Sequence, residues 1–279
     1  MEELAKENYA TNHDYVSFTR ISKYLECEAA AAVRYYEPSN VSQVVGSYVD
    51  AHFSGELSQF VEEHPEIINS RTGEFKKDFK LADEIIQRIE SDELFMYYMN
   101  GENQKIMTGD ICGVPFKIKM DSYKEGEFIA DLKVVKSFDK VWSDVFRSKV
   151  TFVENYNYDI ELAIFQEIVR QNTGKVLPCY ILAVTKQSPS DINIYQLNQG
   201  MLDNALNIVK NYLPRYQKIK DKKIAASRCE VCDYCRKTKK AKIYDVKYIG
   251  VNGDKLREDG FDCTDPIIKE ENNALEKSC

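Results

Sequence analysis

A mixed α/β layered domain is the fold this sequence predicts, and three observations predict it. Helical periodicity occupies the first hundred residues, three short alternating runs follow within 104–135, and a long helical pattern then crosses over to two more strand-like runs. Helices, then a meander, then helix and strand imply a mixed central sheet flanked by helices, with an N-terminal helical addition and a C-terminal cysteine segment.

The elements follow in order. Ser17 is placed to cap a first helix, Phe18 to about Arg34, whose second half is alanine-rich. A second helix runs from about Val41 to Glu63 and ends before Pro65. Residues 76–99 read as two consecutive helices, with Phe79, Ala82, Ile85, Ile86 and Ile89 forming a core stripe. Strands are expected near 104–111, 114–122 and 127–135. A helix over about 155–172 then leads to strands at Pro178–Thr185 and Ile192–Leu197. A final helix, about 200–220, runs into the cysteine segment. From about Gly250 the chain is polar, with little apolar periodicity, and is expected to pack loosely. Residues 1–249 thus read as one domain, with a core at about 41–200, a basic cysteine-rich segment at 210–247 and a tail at 250–279.

With 279 residues, 43% hydrophobic and 30% charged, the chain can bury a substantial core and has the composition of a soluble protein. Its apolar runs are too short to span a membrane, and the polar start MEELAKENYATNHDY is unlike a secretory signal, so cytoplasmic residence is expected. The net charge of −7 argues against indiscriminate nucleic-acid binding, yet residues 210–247 hold thirteen Lys or Arg against four Asp or Glu. Such a segment is an electrostatic footprint for phosphate, or else a solvated helix face. Eight cysteines without a signal peptide point to thiols or metal ligands rather than disulfides.

The chemistry concentrates in GDICGVPFKIKMDSYKEGEFIADLKVVKS, residues 109–137. Two alternating runs, Phe116–Asp121 and Phe128–Val134, flank Lys124-Glu125-Gly126 and read as a hairpin. Alternation puts Phe116, Ile118, Met120, Phe128, Ala130, Leu132 and Val134 on one buried face and Asp121, Asp131 and Lys133 on the other. Two carboxylates and an ammonium could hold a divalent metal and polarise a water. A solvated hairpin face would use the same residue types.

Asp-x9-Asp-x-Lys resembles the signature of the PD-(D/E)XK nuclease superfamily. GDICGVPFKIKMD, IADLKVVKS, NYDIELAIFQEIV and CEVCDYCRKTK together resemble its RecB-like phage branch, the RecE and lambda-exonuclease type, over roughly residues 17–242. The resemblance implies an αβββαβ core and a Mg²⁺ (or Mn²⁺) site with Asp121 and Asp131 as anionic ligands. The Leu132 carbonyl would be a neutral ligand, and Lys133 would stay protonated to orient the nucleophile or steady the transition state. In such nucleases a helix often carries Gly-x-x-aliphatic-His. Here the run is Gly46-Ser47-Tyr48-Val49-Asp50, so Asp50 stands in the ligand position, while His52 should face elsewhere. Another helix usually carries Gln-x-x-x-Tyr. This chain has Glu161 and Phe165 there, with Tyr158 and Glu161 on one helical face. Glu161 could approach the metal waters or the lysine; Phe165 cannot hydrogen-bond phosphate. Lys186 is a candidate phosphate contact.

Cys229, Cys232 and Cys235 have C-x2-C-x2-C spacing, close enough to share a metal or cluster, with Cys27 as a distant fourth. An N-terminal cysteine joined to three C-terminal ones resembles iron–sulfur nucleases of the AddB and CRISPR-adaptation type, although the final gap there is longer. A 4Fe–4S cluster, Zn²⁺ and free thiols all remain open. The leading expectation is a metal-dependent exonuclease on linear duplex DNA, partnered by a single-strand annealing recombination protein as the resemblance implies. Its alternatives are an endonuclease or single-strand exonuclease on the same site, and a non-catalytic nucleic-acid-binding protein. Oligomerisation is left open.

Overall fold

The computed structural model describes residues 4, 6–35, 39–143 and 148–241. The expected 250–279 tail and residues 242–247 of the basic segment lie outside the described residues. In chain order the first helices are α1 (Lys6–Tyr9), α2 (Phe18–Glu26), α3 (Glu28–Ala32), α4 (Val41–Ser54), α5 (Leu57–Glu63), α6 (Lys77–Glu90) and α7 (Glu93–Met99). Strands β1 (Glu102–Ile111), β2 (Val114–Lys124), β3 (Phe128–Val135), β4 (Val141–Ser143) and β5 (Ser148–Val150) follow. Then come α8 (Phe152–Asn155), α9 (Tyr158–Thr173), β6 (Cys179–Thr185), β7 (Ile192–Gln196), α10 (Gln199–Lys220) and α11 (Asp233–Thr238).

The chain forms two compact units, Met1–Ile21 with Glu37–Val209, and Ser22–Tyr36 with the segment from Lys210 on. The first unit is built on a five-stranded sheet of order β1-β2-β3-β6-β7. All its neighbours are antiparallel except β3 and β6, which run parallel. Parallel neighbours need a crossover, and α9 lies in that connection. This is the mixed sheet flanked by helices that the sequence predicts.

Element ends differ from expectation where the backbone leaves helical geometry. The expected helix 18–34 is two helices because Cys27 is extended (φ −162°, ψ 105°) and caps α3. The expected helix 41–63 is also two. An Asn40–Gln43 capping box starts α4, and Gly55 ends it in the left-handed region at φ 77°. The β4–β5 ladder was not expected, since three-residue strands are too short for alternation to register.

One side of the sheet carries the predicted stripe. Phe79, Ala82, Ile85, Ile86 and Ile89 of α6 pack with Val45, Tyr48 and Val49 of α4 and Phe95 of α7 against Phe128, Ala130, Leu132, Leu182 and Val184. The single buried hairpin face needs correction. Phe116, Ile118 and Met120 are fully buried, but Phe116 pairs with Gly109, which lies against Ile168 and Gln171 of α9. Directly paired residues share a face, so β2 begins on the α9 side while Phe128, Ala130 and Leu132 face α4, α6 and α7. The switch falls at Gln104, whose φ is 53° and which interrupts the β1–β2 register opposite Asp121. One αL residue in a strand breaks the period of two on which the expectation rested.

Gly101 sets the approach of β1 to this point. Its N–H donates to Ser122 Oγ at 2.9 Å, and a Cβ there would lie 2.5 Å from that oxygen and 2.8 Å from the Tyr123 backbone. Backbone cannot give way as a side chain can. Gly101→Ala is therefore expected to destabilise the protein by about 1–3 kcal/mol, as overpacking does, read as a lower Tm. An unchanged melting curve would show that β1 can shift freely.

Candidate active site and cysteine cluster

The β2–β3 ladder pairs Ser122 with Ala130, Tyr123 with Ile129 and Lys124 with Phe128. Beyond it the side chain of Asp121 reaches across. Its Oδ2 accepts the Leu132 N–H at 2.9 Å and its Oδ1 accepts from Gln104 Nε2 at 3.2 Å. Asp131 and Lys133 follow on β3, held rigidly by the parallel ladder to β6, where they pair with Ile181 and Ala183. Lys133 Nζ lies 2.5 Å from Asp131 Oδ2 and 2.7 Å from Glu161 Oε2. Its ammonium also sits 4.7 Å from the ring centre of Tyr158. Tyr158 and Glu161 lie in the first turns of α9, one helical turn apart.

Asp50 is brought to the same place by α4, since its charge acts on that of Asp121, and Asp131 and Lys133 act on it. Gly46 of α4 faces Val134 of β3, where a Cβ would make an ordinary 3.9 Å contact. His52 is directed elsewhere and pairs with Glu90 at 2.8 Å. Phe165 is in the core. Lys186 is engaged by α4, donating to the Ser42 carbonyl at 2.8 Å and to the Ser42 hydroxyl.

The electrostatics are those of acids crowded beyond what one lysine can neutralise. Burial, then Asp131 and Asp50, hold the Asp121 carboxyl well above the usual range. Burial raises Asp50 as well, with Asp131 and Glu56 adding to it against Lys119 and Lys133. Burial pushes Glu161 up to about 7 despite the nearby lysine. For Lys133, burial works against the charge, but Asp131, Glu161 and Asp121 outweigh it and the ammonium is held well above its ordinary value. Among the described residues, three buried side-chain oxygens have no hydrogen-bond partner: Gln104 Oε1, Asp131 Oδ2 and Glu161 Oε2. The last two face the Lys133 ammonium at ion-pair distance. Hard oxygen donors and surplus negative charge suit a divalent cation such as Mg²⁺.

Two groups at this site carry no sequence signal. Gln104 is 3% exposed and clamps Asp121; only its left-handed backbone brings it there. Tyr9, on α1, is raised in pKa by burial and by Glu161. Lys117 Nζ donates to the carbonyls of Tyr9 and, at 2.7 Å, Asn12, which anchors that segment on β2.

In the second unit, the sulfurs of Cys27, Cys229, Cys232 and Cys235 all lie within 4.8 Å of one another. Cys27 and Cys235 Sγ are 3.6 Å apart, and Cys229 and Cys235 Sγ 3.9 Å. The backbone N–H groups of Cys232 and Cys235 point at Cys229 Sγ (3.3 Å) and Cys232 Sγ (3.4 Å). Glu28 secures the approach, accepting from Arg215 at 2.6 and 2.8 Å, the Ser227 N–H at 2.7 Å and Tyr212 at 3.0 Å. Outside the cluster Cys179 is a buried free thiol. The basic residues nearby are partly neutralised. Arg236 and Lys237 pair with Asp233, and Arg228 and Lys239 with Glu230.

Among the described residues no helix is long and apolar enough to cross a membrane. No curated protein matches the chain. A solved structure from Eubacterium rectale, of a protein named "putative exonuclease", is 40% identical over 88% of this chain and 97% of its own, with a TM-score of 0.81. The structure of SSO0001 aligns over 73% of the chain and 88% of its own, at 14% identity and a TM-score of 0.28, too distant to bear on the fold. The profile of a PDDEXK-like domain of unknown function (DUF3799) matches residues 17–238. With that match covering most of the chain, and with the acids and lysine of the β2–β3 hairpin drawn together beside α9, the chain belongs to the PDDEXK-like family DUF3799.

Proposed function

We propose that this protein is a divalent-metal-dependent deoxyribonuclease that degrades linear DNA from its ends, of the RecE and lambda-exonuclease kind. The observation that carries this reading is the convergence of Asp121, Asp131, Lys133 and Glu161, buried and with surplus negative charge. A solvated hairpin face would leave these groups in water, where they would not crowd. The relative named as an exonuclease, 40% identical over nearly its full length, favours exonuclease over endonuclease. Cytoplasmic residence and a single-strand annealing partner in phage-type recombination complete the proposal.

Asp121 and Asp131 would hold the ion, with Asp50 as a third carboxylate and the Leu132 carbonyl as a neutral donor. Bound there, Mg²⁺ or Mn²⁺ supplies Lewis acidity and a bound water of lowered pKa. Asp121 is oriented for its task by Leu132 N–H and Gln104 Nε2. Lys133, protonated and held between Asp131 and Glu161, offers fixed positive charge where the phosphoryl oxygens gain negative charge. Glu161 and the face of Tyr158 keep that ammonium in place. The basic residues from Lys210 on would add phosphate contacts that do not read bases.

The test is incubation with Mg²⁺ and end-labelled linear duplex beside a closed circle of the same sequence. Loss of the linear molecule alone is the expected result. Cutting of the circle would make it an endonuclease, degradation of single strands only a single-strand exonuclease, and binding without cleavage a non-catalytic DNA-binding protein.

A further inference from the structure

We propose that Cys27, Cys229, Cys232 and Cys235 form a mononuclear tetrahedral zinc site rather than the seat of a 4Fe–4S cluster. The C-x2-C-x2-C run does not decide this, because iron–sulfur proteins use similar spacing. The distances between the sulfurs do. Four thiolates around one zinc, each at about 2.3 Å, lie about 3.8 Å from one another at the corners of a tetrahedron. The measured pairs are 3.6 and 3.9 Å, and no pair in the set exceeds 4.8 Å. In a cubane each thiolate binds a different iron and inorganic sulfides fill the space between. The thiolate sulfurs then stand on the order of 6 Å apart. Four sulfurs within 4.8 Å leave no room for that core without opening the site.

The surroundings resist such opening. Cys27 occupies the N-cap position of α3, and Cys232 caps α11, its sulfur accepting the Cys235 N–H. The carboxylate of Glu28, beside Cys27, is bound to Arg215, Tyr212 and the Ser227 N–H, and the Ala29 N–H donates to the Ser227 carbonyl at 2.9 Å. Arg228 Nη2 donates to the Cys235 carbonyl at 2.6 Å, tying the far end of the run to its beginning. N–H groups directed at Cys229 and Cys232 Sγ stabilise thiolate charge, as a closed structural site requires. Cys27 and Cys235 are buried while Cys229 and Cys232 are partly exposed, so an ion can enter from one side and then be enclosed. Zinc here would join segments some two hundred residues apart in sequence, and its binding energy would become folding energy.

The experiment uses full-length protein made with iron and zinc both supplied and purified without oxygen. Elemental analysis should find about one zinc per chain, without acid-labile sulfide or visible absorbance. Protein produced with cobalt should show the intense visible bands of tetrahedral cobalt–thiolate coordination. A strong chelator should lower Tm, and added Zn²⁺ should restore it. Cys235→Ser should lose most of the zinc; if it does not fold, the cobalt spectrum of the unaltered protein still decides. Roughly four irons with sulfide per chain would overturn the proposal in favour of the cubane. A single iron without sulfide would overturn the choice of zinc, and metal-free protein whose Tm is unchanged by the chelator would overturn both. None of these readouts involves DNA cleavage, so they stand apart from the proposed nuclease activity.

Discussion

Asp131→Asn is expected to abolish metal-dependent DNA cleavage while leaving the fold intact or firmer. The substitution preserves shape and removes one negative charge from the proposed ion site. Metal-borne charge stabilisation is worth several kcal/mol, so the loss should be about 10³-fold or more in rate. The same change relieves the crowd. Asp121 is raised by Asp131 and Asp50, so removing one charge weakens a repulsion that opposes folding. Lys133 keeps Glu161 as a partner at 2.7 Å, so no buried ammonium is abandoned. The variant should melt at or above the temperature of the unaltered protein. Normal turnover, with host nuclease excluded, would sink the proposed site; a collapsed Tm would show that Asp131 serves the fold instead.

Lys133→Ala should reduce the rate by about 10²-fold or more, comparable to losing one preorganised electrostatic stabiliser. Unlike the aspartate change, it should also destabilise the protein, because it takes the cation from between two buried carboxylates. The sign of the pH effect follows from the carboxyls. Glu161 is already raised, to about 7 from an ordinary value of 4.5, and without Lys133, which lowers it, it rises further. A carboxyl raised in the folded state favours folding below its unfolded pKa and loses that advantage as pH climbs through the folded value. The variant's stability should therefore fall between about pH 5 and pH 8 more steeply than that of the unaltered protein. Melting curves across that range, with and without Mg²⁺, measure this. Equal slopes in the two proteins would mean that the lysine does not offset the acids.

The motif residues were legible because the chemistry requires charged groups at a strand spacing. Asp121, Asp131 and Lys133 stand out in an otherwise apolar alternation, and the stripe of α6 shows core through its period. Glu161 and Asp50 were singled out only through the resemblance to RecB-like nucleases, as the residues standing at the Gln and His positions of their helix motifs. Cys229, Cys232 and Cys235 could be named together from their short spacing, whereas Cys27 was joined to them only through the resemblance to iron–sulfur nucleases.

What remained hidden depends on backbone events that residue type does not encode. Cys27, with extended backbone, breaks a helix that the alanine-rich run favours. Gln104 shows no motif, and its αL backbone emerges only where β1 and β2 bend together beside Asp121. By itself the sequence determined the sheet-and-helix order, the core stripe and the identity of the charged and thiol groups, because periodicity and chemistry are local properties. Only the tertiary structure decided that the hairpin's apolar residues divide between two sides of the sheet, that Gln104 and Tyr9 join the carboxylates, and that four sulfurs close to within 4.8 Å. Each of those depends on packing between segments distant in the chain, where a change of one residue in register reverses the direction of a side chain.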